Sequence, residues 1–160
     1  MLRTCKLCWG LSAVLLLIII GMGYVFVIRG SVTVSDDGRT AIVISAGERD
    51  LVLAEMRGFL ENLEAITNGL AEKDMTKIAE SAKRGGMATE GQVPVSLMVK
   101  LPLEFKTLGM ATHRAFDDLA REATDMGDSQ VVLTKLGKLI NNCTTCHAAY
   151  RFDTQGSKGE

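Results

Sequence analysis

Two thiols and an imidazole stand together in one run, Cys143-Thr144-Thr145-Cys146-His147. Two cysteines separated by two residues and followed directly by a histidine have the spacing of covalent c-type haem attachment. Each thiol can add to one vinyl group of the porphyrin. The histidine is then held beneath the iron, where an imidazole nitrogen can ligate it. A dithiol redox motif would use Cys143 and Cys146 alone, and it expects a βαβ context that this sequence does not present. A zinc site needs a fourth ligand, and His113 is the only other histidine. Haem c is therefore the leading cofactor, with Cys143 and Cys146 as attachment points and His147 as an iron ligand.

Such a motif must be held by its helix. Gly127 and Asp128 mark a helix start, and Leu133, Leu136, Ile140, Cys143, His147 and Tyr150 then recur at spacings of three and four. That stripe places the motif against an interior. Three further helices are predicted. Ser45 and Glu48 have capping-box spacing, and Met56, Leu60, Leu63, Ile66 and Leu70, with Phe59 beside them, form the next stripe. Asp74 can cap a second helix, with Met75, Ile78, Ala79 and Ala82 inward and Gly85-Gly86 ending it. Residues 85–94 read as a Gly- and Pro-containing loop, and residues 95–101 as a short helical lead-in. Pro102 suits the first turn of a third helix, whose stripe is Phe105, Leu108, Thr112, Phe116, Leu119 and Ala123. The expectation is an all-α fold, an antiparallel four-helix bundle over residues 46–152. Residues 31–45 read as an extended connector or a small hairpin, with Asp36-Asp37-Gly38 as its turn. Residues 153–160 read as a flexible tail.

The 160 residues suffice for one domain of ordinary size, and a formal charge of −1 supplies no basic face for nucleic acid. Residues 7–28 carry no charge. A helix of that length spans roughly 33 Å, enough to cross a hydrocarbon core. A cleaved signal peptide would have a shorter apolar region ending in a small-x-small site, so a retained single-pass anchor is expected. Arg3 and Lys6 precede the span, whereas Asp36 and Asp37 follow it. This bias puts a short tail within residues 1–30 in the cytoplasm and the rest outside. In a bacterial inner membrane the haem domain would face the periplasm. Cys5 and Cys8 form a second C-x-x-C with no histidine after it and read as a pair of reduced thiols.

The longer run from Cys143 to Arg151, C-x-x-C-H-x-x-Tyr-Arg, resembles the C-terminal ending of the cytochrome c-prime family. The resemblance covers about residues 46–152, and the N-terminal anchor departs from the soluble periplasmic pattern of many members. It implies a four-helix bundle with the haem near the end of the last helix. It also implies that Arg151 pairs with a haem propionate and that Tyr150 lies against the ring.

Function in that family turns on the sixth position of the iron. Eight methionines are present. Met56 lies on an apolar stripe, near the level of His147 in an up-down bundle, and the family places the facing residue on the first helix close to this point. Met56 is thus the expected sixth ligand, its alternative role being core packing. His113 is expected at the edge of its stripe, partly exposed. The resulting reading is a membrane-anchored one-electron carrier, not an enzyme, with His/Met axial ligation. Its partners would be the membrane, a redox protein and possibly a second copy in a homodimer. The alternative is a five-coordinate haem protein that binds nitric oxide or carbon monoxide.

Overall fold

The computed structural model describes residues 6–88, 93–125 and 127–154. The chain begins with α1 (Lys6–Gly23), which continues as a π-helical segment over Tyr24–Arg29. The segment Cys8–Arg29 is long and apolar enough to cross a membrane, and none of it is buried against the rest of the protein.

Gly30 turns the chain out of this helix with φ of 67°. A Cβ at this position would collide with the backbone of Lys100, Leu101 and Pro102, so the left-handed conformation and the close approach both require glycine. The Ser31 amide then donates to the Lys100 carbonyl at 2.7 Å. Strands β1 (Val32–Val34) and β2 (Thr40–Ile44) pair as an antiparallel hairpin. A third strand, β3 (Tyr150–Thr154), lies parallel to β2 from Thr40 opposite Tyr150 to Ile44 opposite Thr154.

Five helices follow β2: α2 (Ala46–Glu72), α3 (Met75–Lys83), α4 (Val95–Met98), α5 (Leu103–Asp125) and α6 (Ser129–Ala149). The caps fall where the sequence puts them. The Ser45 side chain accepts from the Glu48 amide, and Glu48 reaches back to the Ser45 amide. Asp74 accepts from Lys77 at 2.9 Å, and Asp128 accepts from Gln130 at 2.8 Å. One apolar core draws on α2, α3, α5 and α6, centred on Ile66, Ile78, Phe116, Leu119, Val132 and Leu139. Helices α2 and α3 meet closely at Gly69, where a Cβ would press on Ile78. A second, smaller core packs Ile42 and Ile44 of β2 on Val52, Leu97 and Leu101.

The architecture is therefore predominantly helical, with a small sheet in place of a purely helical fold. Residues 153 and 154, expected in a tail, belong to β3, and residues 155–160 lie outside the described residues. Two helix faces also differ from expectation. On α2 the inward residues are Phe59, Leu63, Ile66 and Leu70, whereas Leu60 is exposed. On α6 the buried stripe is Val132, Leu136 and Leu139, continued by half-buried Cys143, Cys146 and Tyr150. Leu133, Ile140 and His147 lie outside it and are exposed. The run Val131-Val132-Leu133 lets two registers fit a three-and-four spacing, and packing against α5 selects the one through Val132.

Glu48 joins two elements. Its carboxylate serves the α2 cap and also accepts from the Lys100 ammonium at 2.7 and 2.8 Å. These bonds, the one from Lys100 foremost, hold its pKa down to about 2. The folded value lies below the unfolded one, so this stabilisation is complete above about pH 4.5 and is lost as pH falls towards 2. Glu48→Gln should lower stability at pH 7 by about 1–3 kcal/mol. Urea unfolding from pH 7 to pH 2.5 should show the gap to wild type closing on acidification.

Candidate functional site

The last two turns of α6 carry the sulfur and imidazole groups. The Cys143 thiol contacts the Leu139 carbonyl at 3.8 Å, and Cys143 and Cys146 are both free thiols. Each is half-buried, and removal from water disfavours its thiolate. Burial pushes the Cys143 thiol up, and burial followed by the nearby Cys143 pushes the Cys146 thiol to about 11.

A cleft of about 330 Å³ opens beside this end of α6. One wall carries Cys146, His147, Tyr150 and Arg151, and the facing wall carries Arg49, Leu53 and Met56 of α2. Phe105, Phe152 and Arg39 complete it. Five of the six residues singled out in the sequence thus line one cleft. Cys143, the sixth, sits one turn back on α6. Helix α2 packs on α3, and α6 packs on α5. The two outer helices leave the space between them to the cleft. Met56 is half-buried and, like Phe105, Tyr150 and Phe152, packs against the smaller core of Ile42, Ile44, Val52, Leu97 and Leu101. Met56 is the one methionine in the cleft wall among the described residues, and Met126 lies outside them.

The strand after α6 fixes the next two side chains. The Tyr150 ring meets Phe105 edge-on at 5.4 Å, and its hydroxyl donates to Glu104 at 3.3 Å. Burial first, and then the Glu104 charge, pushes its phenol up. Arg151 lies on β3, the chain having already left the helix. Its guanidinium donates to Asp153 at 2.9 Å and to Ser35 at 3.1 Å, with Asp37 at 3.7 Å. The carbonyls at the end of α6 are met by Arg39, which donates to those of His147 and Tyr150 at 3.4 and 3.5 Å. Asp37 clamps Arg39 at 2.6 and 2.8 Å, and that bonding holds the Asp37 carboxyl well below the usual carboxylate range.

His113 is placed differently from expectation. It is buried, 5 % exposed, rather than partly exposed. Its Nδ1–H donates to the Gly85 carbonyl at 2.9 Å, its Nε2 lies 3.6 Å from Glu55, and Phe59 packs edge-on against its ring. A side chain held on both nitrogens and away from the cleft is a structural member of the core. No three His, Cys, Asp or Glu side chains converge as a metal-ion site among the described residues.

Arg39, Arg49, Leu53, Phe105 and Phe152 are cleft residues that the sequence reading passed over. Leu53 and Arg49 stand three and seven residues before Met56, a helical spacing that could have found them. Arg39 carries no such signal, because the hairpin and β3 bring it to α6. Comparison of the chain with family models, curated proteins and solved structures finds no match to any of them.

The thiols give a direct test of this geometry. With its thiol free, Cys146 should alkylate with iodoacetamide at pH 7.5 about tenfold more slowly than an unperturbed thiol, a roughly 100-fold lower thiolate fraction being partly offset by the greater nucleophilicity of a more basic thiolate. Site-resolved mass spectrometry should show its rate still climbing beyond pH 10.

Proposed function

We propose that this chain is a membrane-anchored c-type cytochrome of the cytochrome c-prime type, acting as a one-electron carrier. The carrying observation is that a single cleft gathers Met56 with Cys146 and His147, although some ninety residues separate them in the chain. On this reading α2, α3, α5 and α6 form an antiparallel four-helix bundle around that cleft. The donor set suits haem c: two free thiols at attachment spacing, an exposed imidazole, a thioether facing it, and apolar Leu53, Phe105 and Phe152 to exclude water. The arginines at the cleft suit the two propionates.

Haem bound there supplies the one-electron couple of its iron. Cys143 and Cys146 hold the ring through thioether bonds. His147 ligates from α6 and Met56 from α2, and a Met/His pair raises the potential relative to two histidines. Both ligands sit on long helices, which keeps the geometry fixed while charge changes. On this reading α1 anchors the chain in a bacterial inner membrane with this domain in the periplasm, and electrons pass to a redox partner protein. The second reading, a five-coordinate haem that binds nitric oxide or carbon monoxide, draws on the packing of Met56. Packed against the smaller core, its side chain could act as a wall over the iron instead of a ligand.

Replacement of Met56 separates these readings. The ferric wild-type spectrum should be low-spin, and Met56→Ala should be high-spin and bind carbon monoxide when reduced. The variant should lose about 2–5 kcal/mol of stability on truncation of a packed Met. A wild type that is already high-spin, with a spectrum unchanged by Met56→Ala, selects the gas-binding reading. Orientation is tested separately: a reporter active only in the periplasm, fused after Glu160, should be active.

A further inference from the structure

The anchor enters the domain without a linker. Gly30 lies on the backbone of Lys100, Leu101 and Pro102, and the Ser31 amide bonds the Lys100 carbonyl at 2.7 Å. The Val43 amide in turn donates to the Ser31 carbonyl at 2.8 Å. From α5, the Lys106 ammonium reaches back to the carbonyl of Val27, inside the apolar helix, at 3.2 Å. These bonds fix the angle and the height of the domain on its anchor.

The surface around this junction is unusually apolar. Val95 and Met98 share the outer face of α4 and are 77 % and 36 % exposed, whereas Leu97 and Leu101 hold α4 to the core from its other side. Leu103, 41 % exposed, lies one turn before Lys106 on the same face of α5. Lys106 therefore places Leu103 close to the level of Val27, two residues short of the end of the apolar helix. An exposed apolar side chain at that depth, beside a lysine whose ammonium bonds the backbone two residues short of the end of the apolar helix, suits a bilayer interface.

We propose that α4 and the first turn of α5 rest on the bilayer that α1 crosses, through Val95, Met98 and Leu103. The inference rests on α1 being a membrane anchor. The occupant is lipid because the apolar surface is continuous with the anchor itself.

Photo-crosslinking in the full chain, reconstituted into phosphatidylcholine vesicles, tests the contact. A benzophenone amino acid replaces Leu103, Met98 or, as control, Leu133. Leu133 is also exposed, but it lies in the second turn of α6, which follows the end of α5 remote from Leu103, and α5 is about 33 Å long. Lipid adducts at positions 103 and 98 should exceed those at position 133 by about tenfold, since lipid contact is confined to the outer 5–10 Å of the interface. Equal yields at the three positions, or adducts to a second copy of the chain in place of lipid, would overturn the proposal while leaving the anchor intact. Protein that fails to float with the vesicles would overturn the anchor and this contact together.

Discussion

The parallel pairing of β3 with β2 is the constraint on which the site depends. Without it, the chain after Ala149 would be free, and Tyr150, Arg151 and Phe152 would have no fixed relation to α2 or α5. With it, five consecutive residues are held against the hairpin that follows the apolar N-terminal helix. The hairpin also delivers Arg39 to the last carbonyls of α6, where a cation meets the negative end of the helix dipole. The helices could form their core without the sheet, but the cleft beside Cys146 and His147 could not close. A parallel pair needs a long crossover, and here the crossover is the whole helical domain.

The sheet has a second consequence. Its hairpin begins two residues beyond the apolar N-terminal helix, so whatever fixes the sheet also fixes the domain on that helix. The salt bridge from Lys100 to Glu48 extends this frame to the start of α2, the helix that carries Met56. Apolar helix, sheet and both walls of the cleft are thus one connected set of short contacts.

Much of this was legible in the sequence, and the reasons for the failures are physical. Local signals read correctly: Ser45, Asp74 and Asp128 cap helices because capping is settled within four residues. The apolar N-terminal helix was also read from pattern, and Cys146 and His147 from spacing; Tyr150 and Arg151 entered only through the family resemblance, and all four line one cleft with Met56. What depends on distant packing was not. The register of α6 was ambiguous at Val131-Val132-Leu133, so Leu133 and Ile140 were placed inward. The strand at Tyr150–Thr154 follows a helix with no breaker and was read as helix end and tail. His113 was read as a surface residue because nothing local reveals that Gly85 supplies a carbonyl to it.

The central claim is that Cys143 and Cys146 bind haem covalently, and the state of the full chain after denaturation tests it most directly. Chain produced in a host that matures c-type cytochromes should be unfolded in acid and acetone, then examined by intact mass and by peptide mapping. The account predicts one haem retained per chain, with both thioether bonds on the peptide containing Cys143 and Cys146, and none retained when both cysteines are replaced by alanine. Haem that extracts freely from the wild-type chain, or a chain that carries none, would contradict it.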